Sequence, residues 1–114
     1  MDVTIYHNPA CSKSRAALSF LHEHNIEPTV IEYLENAPTA QTLAALLNSA
    51  QLSAHQAIRT GEPLYKELGL SPETPENQLV AAMAEHPILI ERPLVVTEKG
   101  ARIARPAEVI QEIL

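Results

Sequence analysis

The 114-residue chain has no tryptophan, one phenylalanine and one cysteine. With so few large aromatics, its core must be built from aliphatic side chains. A single cysteine excludes an internal disulfide framework and fits a reducing compartment. No apolar run is long enough to span a bilayer, and no secretory apolar segment follows Met1. The chain is therefore expected to be soluble, cytoplasmic and without a membrane partner. Positive charge is also scarce, with eight Lys and Arg against fourteen Asp and Glu and a formal net charge of −6. Nucleic-acid-binding domains present a basic surface, so that class of partner is excluded. The length suits a single domain over residues 1–114, with no repeat, low-complexity stretch or linker dividing it.

The histidines do not form a metal site. His22 and His24 are two residues apart, so on a helix they point to nearly opposite sides. His55 and His86 have no partner at ligand spacing. No metal and no tightly bound cofactor are expected. The Cys-x5-Arg loop that cradles phosphate in tyrosine phosphatases is missing too, because only three residues separate Cys11 from Arg15.

What the chain does have is the stretch Tyr6-His7-Asn8-Pro9-Ala10-Cys11-Ser12-Lys13-Ser14-Arg15. The β-branched run Val3-Thr4-Ile5-Tyr6 before it reads as a buried strand, and the apolar residues 16–21 after it read as a helix. The cysteine thus stands where a strand turns into a helix, facing the unpaired N–H groups of the first helical turn. Those donors favour thiolate over thiol, and Lys13 and Arg15 add positive charge nearby. The polar neighbours argue against Cys11 as a small core residue. Ser14 completes a Cys-x-x-Ser pattern. Its hydroxyl either donates to the Cys11 thiolate or plays no chemical part, and the sequence leaves both open. His7 reads as a loop residue that is either solvated or tunes the thiol.

Further along, residues 29–33 read as a second strand, making a right-handed β-α-β crossover with the first helix. Asn36-Ala37-Pro38-Thr39 opens a helix with Leu43, Leu46, Leu47 and Ala50 on one face. Gly61, Pro63 and Gly69 break residues 52–70 into short helical pieces. Thr74-Pro75 starts a helix with Leu79, Ala82, Met83 and His86 on one side. Leu94-Val95-Val96 is a short buried strand, Glu98-Lys99-Gly100 a hairpin turn, and 101–104 the return strand. Pro106 begins a closing helix with Val109, Ile110, Ile113 and Leu114 on its apolar side. The order β-α-β, a helical insertion over about residues 37–87, then β-β-α predicts an α/β, thioredoxin-like fold. Such a fold has a mixed four-stranded sheet flanked by helices.

In an acidic protein that binds an anion, the cations must be gathered at the site, so the five arginines matter. Arg92 precedes Pro93 at the entrance to the third strand. In thioredoxin-like folds a cis-proline at that place faces the active-site cysteine, so a cis Arg92–Pro93 bond beside the thiol is expected. Strand alternation puts Arg105 on the inward face with Ile103, where an arginine needs an anionic partner. Arg102 then points outward as a solvated charge. Arg59, before Thr60-Gly61, reads equally as a helix C-terminal cation.

Taken together, these blocks resemble the glutaredoxin-coupled arsenate reductase family. The matching blocks are His7-Asn8-Pro9-Ala10-Cys11 with Ser14-Arg15, Arg59 ahead of Pro63-Leu64-Tyr65-Lys66-Glu67-Leu68-Gly69-Leu70, the run from His86-Pro87 through Glu91-Arg92-Pro93 to Thr97, and Arg105-Pro106. They cover essentially the whole chain in order. The resemblance implies that Cys11 is the nucleophile toward arsenate, and that Arg59, Arg92 and Arg105 hold the oxyanion. It implies that His7, Asn8, Ser14 and Arg15 form the supporting loop. It also implies glutathione as co-substrate, glutaredoxin as protein partner and a monomer as the working form.

Two features depart from the family. Ser12-Lys13 stands where well-studied members have Gly-Thr, and the chain stops at Leu114 without the C-terminal extension that some carry. Two other functions fit the same scaffold. One is an RNA-polymerase-binding regulator, whose usual Cys-x-x-Cys pair Ser14 denies. The other is a glutathione-dependent thiol transferase, which leaves the three recurring arginines unexplained.

Overall fold

The computed structural model of this protein describes residues 2–114, which form two compact units. The first comprises the chain up to Asn36 together with Arg92–Leu114, and the second comprises Ala37–Glu91.

The first unit is a four-stranded sheet of β1 (Thr4–His7), β2 (Thr29–Glu32), β3 (Leu94–Thr97) and β4 (Gly100–Ile103), in the order β2-β1-β3-β4. β1 and β2 are parallel and joined through helix α1 (Ser12–Glu23), while β1/β3 and β3/β4 pair antiparallel. The mixed sheet is the one expected from the order of elements. Asn25, at a left-handed φ of 59°, ends α1, and the Ile26 N–H then returns to the Leu21 carbonyl at 2.9 Å. The β3–β4 hairpin closes at Gly100, whose φ of 144° favours glycine.

Val3, Ile5 and Val95 from the sheet pack with Ala17 and Leu21 of α1 and with Ala104, Ile110 and Ile113. The buried side chains of this cluster are aliphatic, but Phe20 packs against them and Tyr33 is fully buried, so the core is not wholly aliphatic, contrary to expectation. Each fully buried leucine or isoleucine in it contributes about 1.5–3 kcal/mol of transfer free energy. The closing segment Ala107–Ile113 is a 3-10 helix rather than an ordinary α-helix. Ile110 and Ile113 are buried as anticipated, whereas Val109 is only half-buried. The Thr97 hydroxyl donates to the Ile113 carbonyl at 2.5 Å and ties this segment to the end of β3.

The strand registers decide where the functional residues lie. Tyr6 pairs with Leu94, so the start of β3 lies beside the end of β1. Leu94 also pairs with Ile103, so the end of β4 lies at that same end. The loop after His7, the residues before Leu94 and the residues after Ile103 therefore converge. Both Arg92–Pro93, as anticipated, and Arg105–Pro106, not anticipated, are cis.

The second unit is helical. It comprises α2 (Ala40–Ala50), α3 (Ala54–Ala57), α4 (Pro63–Glu67), α5 (Glu76–Glu85) and a 3-10 turn at Pro87–Leu89. The Thr39 hydroxyl caps α2, and Ser53 with Gln56 forms a capping box on α3. The Glu76 carboxylate accepts from the Ala54 N–H. Leu43 and Leu47 of α2 and Leu79 and Met83 of α5 are buried at the anticipated spacing.

Candidate active site

The loop between β1 and α1 is shaped by Asn8. Its side-chain oxygen accepts from the Ala10 N–H and its carbonyl from the Cys11 N–H, each at 3.0 Å. The Arg15 N–H bonds back to the Cys11 carbonyl at 3.0 Å, which makes Cys11 the N-cap of α1. Cys11 is half-buried with its thiol free.

Three influences act on that thiol. Burial pushes its pKa up, and this is the largest single effect. The backbone N–H groups of Ser14 and Lys13 face the sulfur and draw the pKa down, although they close no formed capping bond. The Arg92 guanidinium adds its charge and a hydrogen bond in the same direction. The lowering influences prevail, so the Cys11 pKa lies below its ordinary value.

The cation at the sulfur is Arg92, which the sequence places beside the thiol, whereas the charges of Lys13 and Arg15, also expected there, do not act on it. Lys13 contributes its backbone amide while its side chain is exposed. Arg15 donates from its guanidinium to the Pro9 carbonyl at 2.8 Å and so braces the loop. Arg105 extends toward Arg92, with Nη1 at 3.3 Å from the Arg92 carbonyl.

The alternation argument for Arg105 does not hold. β4 ends at Ile103, the Arg105 N–H turns back to the Ile103 carbonyl, and Arg105 is exposed. A turn, not strand alternation, delivers this residue to the end of the sheet that carries Arg92. Arg102 is not simply solvated either, since its Nε lies 3.1 Å from Glu112 in an ion pair.

His7 is buried at the end of β1 rather than solvated in a loop. Alternation with Ile5 turns it toward α1, where its Nδ1 lies 2.6 Å from the hydroxyl of the fully buried Ser14. The same hydroxyl accepts from the Asn8 N–H at 3.0 Å. The Ser14 side chain thus ties His7 and Asn8 together, while the Ser14 main chain serves Cys11. Desolvation lowers the His7 pKa, the Glu32 carboxylate raises it and Arg15 lowers it, with a net lowering. His7 is accordingly neutral at neutral pH.

A polarised thiol and two arginines thus stand at one end of the sheet. The profile of the ArsC family matches residues 6–113. The chain belongs to the ArsC family. It is 50% identical to an arsenate reductase of Rhizobium meliloti strain 1021, over the whole of this chain and 82% of that protein. It is 47% identical to the uncharacterized protein YfgD of Escherichia coli K12, over 99% of this chain and 97% of that one. The solved arsenate reductase of Vibrio cholerae superposes with a TM-score of 0.96 at 48% identity, covering all of this chain and 98% of the other. The four-stranded mixed sheet flanked by helices is the architecture of these ArsC-family structures, as the resemblance implied.

Arg59 belongs to the helical unit. The Ile58–Ile90 bridge holds it there, with the Arg59 N–H on the Leu89 carbonyl at 2.8 Å. Its Nη1 lies 3.3 Å from a carboxylate oxygen of Glu62, a partner that the sequence reading passed over. The i, i+3 spacing of Arg59 and Glu62 was the available signal. Among the described residues, no three His, Cys, Asp or Glu side chains gather as a metal ion would require.

Proposed function

We propose that this protein is an arsenate reductase that uses Cys11 as its nucleophile and external thiols as reductant. The observation that carries the reading is the Cys11 thiol, polarised by helix-start amides and by Arg92. Arg105 lies beside Arg92 at the same end of the sheet.

A tetrahedral oxyanion is held best by several N–H donors in planar forks, which arginine supplies. Arg92 and Arg105 are assigned to the arsenate oxygens. An oxyanion-binding role for Arg59 rests on the resemblance alone, from the block in which it occurs. The Cys11 thiolate attacks arsenic, and one As–O bond breaks with loss of water. A glutathione thiolate then adds in the same way. The chain has one cysteine, so it cannot reduce this adduct itself. A glutaredoxin thiolate attacks the glutathione sulfur, the S–As bond breaks with its electron pair left on arsenic, and water then releases arsenite and returns Cys11 as the thiol. His7, Asn8, Ser14 and Arg15 keep the loop in shape, and the protein works as a cytoplasmic monomer without a resident cofactor.

The test is arsenite formation from arsenate with glutathione and glutaredoxin. The wild type should turn over, thioredoxin should replace glutaredoxin poorly, and Cys11→Ser should be inactive. A wild type that forms no arsenite, or an active Cys11→Ser variant, overturns the reading.

A further inference from the structure

Lys13 stands in the first turn of α1, two residues after Cys11, with its side chain exposed. A cation at that place faces the positive end of the helix dipole, where acidic residues are favoured and α1 has none. The neighbouring cations are engaged, Arg15 with the Pro9 carbonyl at 2.8 Å and Arg92 with the sulfur. Among the described residues, the Lys13 ammonium has no ion pair and no hydrogen bond. Its charge does not act on Cys11 either. The side chain thus serves neither the helix nor the acidity of the thiol.

We infer that Lys13 is a specificity-determining residue for the thiol co-substrate, binding a carboxylate of glutathione as its sulfur meets Cys11. The inference rests on the proposed use of glutathione. Glutathione carries two carboxylates, and its terminal one stands a single residue beyond its cysteine. Lys13 stands two residues beyond Cys11, an axial rise of about 3 Å, so its flexible four-carbon stem spans a similarly short interval. Arg92 and Arg105 are assigned to the arsenate oxygens, which leaves Lys13 for the carboxylates of the incoming thiol. The protein has a formal net charge of −6 and repels an anionic co-substrate. A cation beside the sulfur offsets that repulsion for an anionic thiol and does nothing for a neutral one.

The measurement is the rate at which Cys11 forms a mixed disulfide, which needs no arsenate. The Cys11 thiolate attacks one sulfur of a small disulfide, the S–S bond breaks, and the other sulfur leaves as a thiolate. Glutathione disulfide is anionic and hydroxyethyl disulfide is neutral, so the ratio of their rate constants cancels any change in the acidity of Cys11. Lys13→Gln should lower this ratio about two- to fivefold at low salt, the scale of an exposed ion pair. Lys13→Glu should lower it further, and Lys13→Arg should keep it. Added salt should bring the wild-type ratio down toward that of Lys13→Gln. A ratio that Lys13→Gln leaves unchanged or raises overturns the inference, and the reductase reading stands if the wild type still forms arsenite. A wild type that forms no arsenite overturns the reductase reading, and the ratio still decides the role of Lys13.

Discussion

His7 Nδ1 lies 2.6 Å from Ser14 Oγ, a buried contact that joins the end of β1 to the first turn of α1. It fixes the loop carrying Cys11 from below. Because burial lowers the His7 pKa beneath its ordinary 6.5, the unfolded chain takes up a proton at His7 before the folded one does. Stability from this group is fully present above that value and declines as pH falls through it toward the lower folded value. Urea unfolding of the wild type should show a loss of stability between about pH 8 and about pH 5 that is smaller in His7→Gln. Equal pH dependence in the two proteins would show that His7 does not titrate with folding.

Ser14 separates two roles that the sequence merges. Replacing it with alanine removes the acceptor of the Asn8 N–H and the partner of His7, at a cost of about 1–3 kcal/mol for buried polar groups left unmet. The backbone N–H that faces Cys11 remains. Ser14→Ala should thus melt lower while its thiol still titrates below the ordinary cysteine value. A thiol restored to ordinary acidity in this variant would mean that the hydroxyl, not the main chain, serves Cys11.

These two residues also show what the sequence could tell. The strand-to-helix turn at Cys11 was legible because β-branched residues give way at once to a polar loop and an apolar run. The aliphatic faces of α2 and α5 were legible from spacing alone. The inward direction of His7 was less so, because its strand extends one residue past the β-branched run and so puts His7 on the face of Ile5. The Arg105 argument failed for a related reason. Alternation continues only while a strand does, and β4 stops two residues short. The 3-10 form of Ala107–Ile113 left no mark in the pattern, since Ile110 and Ile113 are three residues apart and suit either kind of helix.

The two arginines at the end of β4 should behave differently. Arg105→Ala removes a guanidinium assigned to the oxyanion and should lose about 100-fold or more in kcat/KM for arsenate, the scale of losing one anion-stabilising donor. Arg102→Ala breaks a surface pair with Glu112 and should cost about 1 kcal/mol of stability at most, with activity nearly unchanged. Steady-state kinetics of both variants checks this. Comparable losses in the two would remove the distinction.

The central claim is that the Cys11 thiol is more acidic than an ordinary cysteine, made so by amides at the start of α1 and by Arg92. The rate of iodoacetamide alkylation against pH measures it directly. The wild type should inflect well below the free-cysteine value of about 8.5, and Arg92→Ala should move the inflection upward. A wild-type inflection at or above that value, or one unmoved by loss of Arg92, would contradict the account.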